Sequence, residues 1–167
     1  MIGEELSEKK IFIVIVFLVA ISTIGCSNET IKKAEESWEE SATFVIEVIV
    51  TDDGQTDDFI FRIGDNGKLR FGEYGPFIAG EDQKYMWHFW GEHEILTQPF
   101  KVIGINKETG EEIIVFKTPK RNSLGSNNGA AHHIPSMMML PSAGIWKLEG
   151  YFGDELFGNL IVSVDEK

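Results

Sequence analysis

Residues 84–90 read Lys-Tyr-Met-Trp-His-Phe-Trp. Tyr85, Trp87 and Phe89 recur at every second position, and Met86, His88 and Trp90 fill the places between them. A period of two belongs to a β-strand, whose successive side chains leave opposite faces. One of the two sets must face a core. The other either meets a second buried surface, as on a central strand, or faces water. In the second case His88 and Trp90 form an amphipathic platform suited to a sugar, a peptide or a protein.

The same period continues on both sides. Phe44, Ile46, Val48 and Val50 alternate with Thr43, Val45, Glu47 and Ile49 until Asp52-Asp53-Gly54 ends the run. A second strand covers residues 59–63 and stops at Gly64-Asp65-Asn66-Gly67. Residues 100–106 and 111–117 are joined by Lys107-Glu108-Thr109-Gly110, a four-residue hairpin loop. Residues 137–140 make a short strand. The final hairpin pairs residues 145–152 with 156–164 about Gly153-Asp154-Glu155. In it Trp146, Leu148 and Phe152 share one face, and Lys147, Glu149 and Tyr151 share the other. About seven short strands without a long amphipathic helix predict an all-β, antiparallel sandwich over residues 42–167. Two stretches resist this reading. Residues 71–83 carry Gly72, Gly75, Pro76 and Gly80, and residues 118–135 carry Pro119, Gly125, Asn127, Asn128 and Gly129. Both are expected to be long loops, which on a rigid scaffold often carry recognition.

The formal charge is −12, from 27 acidic and 15 basic residues, so a phosphate backbone is repelled and nucleic-acid binding is not expected. Cys26 is the one cysteine, which excludes an internal disulfide and a four-thiolate metal site. Its setting explains it. Residues 11–24, Ile-Phe-Ile-Val-Ile-Val-Phe-Leu-Val-Ala-Ile-Ser-Thr-Ile, carry no charge, follow Lys9 and Lys10, and run into Gly25-Cys26 and a polar stretch. A charged start, a short apolar run and a small residue describe an export signal. Fourteen residues reach roughly 21 Å as a helix, short of a hydrocarbon core of roughly 30 Å.

Thr23-Ile24-Gly25-Cys26 resembles the four-residue box of bacterial lipoprotein signals. It departs at Thr23, where Leu is usual, and at Ile24. The resemblance implies removal of residues 1–25 and a diacylglyceryl group on Cys26, holding the chain on the extracytoplasmic face of the cell membrane. Two acyl chains meet the requirement for stable anchoring. Residues 26–41 then read as a polar tether, with Trp38 able to fold back on the domain.

Chemistry is sparse. No phosphate loop or nucleophile elbow is present, and no cofactor is expected. His132 and His133 precede Met137, Met138 and Met139, an imidazole and thioether set that suits copper. Adjacent strand residues point oppositely, however, so the plainer expectation puts Met137 and Met139 in the core and the histidines on loops. Asp52, Asp53, Asp57 and Asp58 offer oxygens for Ca2+ around one turn, but without EF-hand spacing, and a solvated tip is the simpler reading. The acidic pairs do not meet the facing-carboxylate requirement of a glycosidase.

Leu140-Pro-Ser-Ala-Gly-Ile-Trp and the strand at residues 156–164 resemble the last hairpin of immunoglobulin-like extracellular domains. With Trp87 to Gly91 they are similar to uncharacterised lipoproteins of Bacillus-type bacteria. The resemblance implies an immunoglobulin-like sandwich and transfers no catalytic residue. The expectation is therefore a membrane-anchored lipoprotein with a non-catalytic domain that binds an extracytoplasmic protein, peptide or wall component. Contacts are expected at His88, Trp90, Asn127, Asn128 and Gly129. Metal handling by His132, His133, Met137 and Met139 is the first alternative, and cell-wall hydrolysis the second.

Overall fold

Each alternating strand carries one apolar stripe, and two sheets bury their stripes by stacking face to face. The computed structural model describes residues 37–49 and 56–167. Residues 1–25, Cys26, most of the expected tether, Asp52 and Asp53 lie outside the described residues, and of Asp57 and Asp58 only the backbone lies within them. The strands are β1 (Thr43–Ile49), β2 (Thr56–Ile63), β3 (Leu69–Glu73), β4 (Phe77–Ile78), β5 (Gln83–Phe89), β6 (Phe100–Asn106), β7 (Glu112–Thr118), β8 (His132–Met138), β9 (Gly144–Phe152) and β10 (Glu155–Asp165). A single helical turn, α1 (His93–Leu96), links β5 to β6. Among the described residues no helix is long and apolar enough to cross a membrane.

The first sheet runs β1-β2-β3-β5-β8 and the second β4-β10-β9-β6-β7. Pairings are antiparallel except for the short parallel contact of β4 with β10. The all-β sandwich expected from the alternation is therefore present. Its strands number ten among the described residues, because both stretches read as loops contribute strands. Residues 71–83 contain most of β3, all of β4 and the start of β5, and β8 begins at His132, five residues before the expected strand. Glycine misled the reading at Gly72. A Cβ there would lie 2.7 Å from the Phe59 ring, so the position needs the absence of a side chain and not a turn.

Between the sheets, Phe71, Tyr85, Trp87 and Phe89 of the first meet Phe100, Trp146, Leu148 and Phe152 of the second. Trp87 is fully buried, and its indole N–H donates to Ser136 Oγ at 3.0 Å. Trp146 is equally buried and donates to the Ser142 carbonyl at 2.9 Å. Both indoles thus enter the core without an unpaired donor, which buried polar groups require. The β6–β7 hairpin forms as expected. Asn106 Oδ1 accepts the backbone N–H groups of Glu108 at 2.9 Å and Thr109 at 3.0 Å, and Gly110 supplies the left-handed φ of +68°.

The compact unit starts at Ser37, upstream of Ala42. Ser41 N donates to the Ile161 carbonyl at 2.9 Å, and Ile161 N donates to Ser41 Oγ at 2.8 Å. Arg62, buried beneath, pairs with Glu73, contacts Glu40 at 2.8 Å and donates to the Ser41 carbonyl at 2.9 Å. Trp38 folds back as the sequence allowed, with Lys147 Nζ 5.2 Å from its ring centre.

Candidate functional site

The outer face of the first sheet, turned away from the core, holds most of the residues expected to bind. Strand register aligns its side chains in rows. Phe44, Phe61, Gly72, Met86 and Pro135 form one row across five strands. Arg70, His88 and His133 form the next row on one side. On the other side Ile46 pairs with Phe59, whose ring meets Tyr74 edge-on at 5.0 Å, and the Lys84 ammonium lies 5.5 Å from the centre of the Tyr74 ring. No carboxylate occurs at these positions, and the register puts Asp57, opposite Val48, at the next place on the same face.

Gly72 leaves room for Phe59 to lie over the sheet, and the aromatic residues bank up around it. Phe44 stacks on Phe61 at 5.3 Å, and Phe59 meets Phe61 edge-on at 4.8 Å. An open groove of about 440 Å³ results, lined by Ile46, Phe59, Phe61, Tyr74 and Asn128. Its wall residues Ile46 and Tyr74 are 40% and 54% exposed, so the groove presents apolar surface directly to water.

Asn128 comes from the long loop ahead of β8. The loop ends in a tight turn, with Asn127 bridged to Ala130 and positive φ at Asn128 (49°) and Gly129 (77°), the conformation that Asn-Gly favours. The turn is fastened to the sheet. Trp90 Nε1 donates to the Gly129 carbonyl at 2.8 Å, and Asn128 Nδ2 lies 3.3 Å from His88 Nε2. His88, Trp90, Asn128 and Gly129 therefore converge, with Asn127 at the root of the turn. Of the two alternatives that the sequence left for the second set of side chains on the aromatic strand, burial is the one that holds for His88. His88 is fully buried under the loop and against Phe61, and Trp90 is half-covered. Burial, with His133 and Arg70 nearby, drives the His88 imidazole down to about 4 against the upward pull of the Met86 carbonyl. It accepts the Asn128 amide as a neutral ring.

Arg70 faces this cluster. Its guanidinium lies 5.3 Å from the centre of the Phe44 ring and 4.6 Å from that of Trp90. Its Nε is buried without a hydrogen-bond partner, and neither Arg70 nor Lys84 forms an ion pair among the described residues.

The metal alternative does not assemble. His132 points into the sandwich beside Phe89, and His133 points outward. Both clasp Gly125: its N–H donates to His132 Nδ1 at 3.0 Å, and its carbonyl accepts from His133 Nδ1 at 2.7 Å. Burial lowers the His132 pKa as well. Both histidines sit on β8 and not on a loop. The methionine phase is the reverse of that expected, with Met138 buried and Met137 and Met139 exposed at 56% and 43%. Met137 shares a face with His133 but lies four residues, about 13 Å, further along the strand. Among the described residues no group of three His, Cys, Asp or Glu could hold an ion.

Phe44, Phe59, Arg70, Tyr74 and Lys84 were not among the site residues expected from the sequence. They come together only through the register of the strands, which no single stretch of sequence displays. A second hollow of about 480 Å³, between Phe100, Lys101, Ile114 and Lys117 on the other sheet, gathers none of the expected residues.

A family model described as "Domain of unknown function (DUF4871)" matches residues 28–162. No curated protein matches the chain. A crystal structure described as that of a "Putative Lipoprotein from Bacillus anthracis" shares the fold, with a TM-score of 0.51 at 18% identity, over 78% of this chain and 88% of that one.

Proposed function

The chain belongs to the DUF4871 family, and on that premise we propose that it is a lipid-anchored extracytoplasmic protein whose β-sandwich is a non-catalytic binding module. Cys26 carries the anchor in this reading. The signal-like residues 9–26 support it, as does the name lipoprotein borne by the Bacillus anthracis structure. The sandwich serves as immunoglobulin-like sandwiches do, as a rigid scaffold presenting one face.

One observation carries the binding role. In a chain with 27 acidic residues, a groove lined by Ile46, Phe59, Phe61, Tyr74 and Asn128, without a carboxylate, opens on the outer face of the first sheet. A solvated surface under no other demand would share in the acidic composition. No nucleophile with a neighbouring base lines the groove, so it favours holding a ligand over transforming one.

Two measurements test the reading. Labelling cells with an alkynyl fatty acid tags the wild-type chain, whereas Cys26→Ser abolishes the tag and moves the chain out of the membrane fraction. Met1 retained on an unmodified wild-type chain refutes the anchor. For the groove, the neutral dye Nile red binds the processed chain saturably, and Tyr74→Ser weakens it without lowering Tm. An unchanged affinity in Tyr74→Ser removes the groove from the proposal.

A further inference from the structure

Resting on that binding reading, we infer that the groove takes a monomeric anionic amphiphile, a carboxylate on an apolar body, with the positive field of Lys84 and Arg70 favouring the charge. The volume of about 440 Å³ falls within the range of small-ligand sites, and the lining is apolar but for Asn128. A body of aliphatic or aromatic carbon displaces water from Ile46, Phe59, Phe61 and Tyr74, which is favourable in proportion to the area covered.

Charge selects the head group. Lys84 stands at the Tyr74 wall, and Arg70 stands behind Phe61 through Phe44. Aromatic faces hold both cations while leaving their N–H donors unspent, and neither forms an ion pair among the described residues. Elsewhere Arg62 pairs with Glu73, Lys147 with Glu149 at 3.1 Å, and Lys167 with Glu81 at 3.5 Å. Two cations beside an apolar hollow give it a positive field that complements a carboxylate.

The occupant is a single molecule and not a bilayer. A membrane laid on this face would bring its anionic surface within a Debye length, about 8 Å, of a body that carries −11 once residues 1–25, with their three acidic and two basic side chains, are removed. A monomer in the groove meets only the local cations.

The test uses the processed chain from position 26 with Cys26→Ser, so that no lipid of its own competes. Decanoate, decanol and decyltrimethylammonium are titrated below their micelle concentrations, with displacement of Nile red as the readout. Decanoate is expected to bind at least about tenfold tighter than decanol, and the cation more weakly than either. Lys84→Gln with Arg70→Gln brings decanoate to within about threefold of decanol. Arg70→Lys, which keeps the charge, retains the preference, and Tm separates these effects from unfolding. Equal affinity for decanoate and decanol, both weakened by Tyr74→Ser, overturns the anionic assignment and leaves the groove reading standing. Saturable binding of none of the three overturns both. Binding to phosphatidylglycerol vesicles without binding to free decanoate also overturns the inference.

Discussion

His88 gives the most quantitative test of the site's architecture. Its pKa falls from 6.5 to about 4 on folding, first through burial and then through the positive charges of His133 and Arg70. Between those values the unfolded chain binds the proton and the folded chain does not, so stability falls as pH falls. The stabilising difference is fully present above about pH 6.5 and is lost progressively down to about pH 4, below which the curve flattens. At pH 5 the loss from this one side chain amounts to about 2 kcal/mol relative to pH 7.5. His88→Gln removes the titration while keeping an oxygen that can accept from Asn128. Urea unfolding followed by tryptophan fluorescence at the two pH values yields the comparison. Wild type should lose about 2 kcal/mol more than the variant on acidification. His132, also lowered by burial, titrates in both proteins and cancels. Equal losses in the two proteins would show that His88 is hydrated or already charged, and the described packing of the loop would be refuted.

Three further substitutions probe separate parts of the fold. Gly72→Ala drives a methyl into the Phe59 ring and should destabilise by about 1–3 kcal/mol in urea, with Nile red binding reduced as Phe59 moves. Arg62→Ala leaves the Glu73 carboxylate buried and unpaired and should cost about 3–5 kcal/mol, with Glu73→Ala added on top recovering part of it. Gly129→Ala imposes a Cβ on a left-handed residue (φ 77°) and should cost about 1–2 kcal/mol by thermal melting. In a turn free of the sheet that last cost would still arise, but the emission of Trp90 would stay unchanged. Because Trp90 donates to the Gly129 carbonyl, its emission should shift to the red.

The sequence conveys the hairpins because their information is local. The strand at residues 100–106 coincides with β6, since apolar alternation, an Asn that caps the turn and a Gly with positive φ all lie within ten residues. The aromatic strand at 84–90 was equally legible in period. What alternation does not convey is phase where both parities are plausible. Met137 and Met139 looked as fit for the core as Met138, and the choice was made by a partner 49 residues away, the Trp87 indole, which needs Ser136 inward and so turns Met138 inward with it. The groove was hidden for the same reason. Ile46, Phe59 and Tyr74 are brought together by register across three strands, and no stretch of the chain shows them side by side. His88, Trp90 and the Asn-Gly turn were conspicuous individually, but the hydrogen bonds that turn a loop into a cover depend on where the sheet ends.

The clasp at Ser41 bears on how the molecule would withstand mechanical load. A pull arriving through Ser37 meets the paired bonds to Ile161 and the grip of Arg62 on Glu40 before it can reach β1. Tension is thereby diverted into β10, a strand held on both sides by its sheet, and the hairpin that walls the groove is spared. On the proposed reading, a load on the anchor would reach the groove only after these bonds had failed.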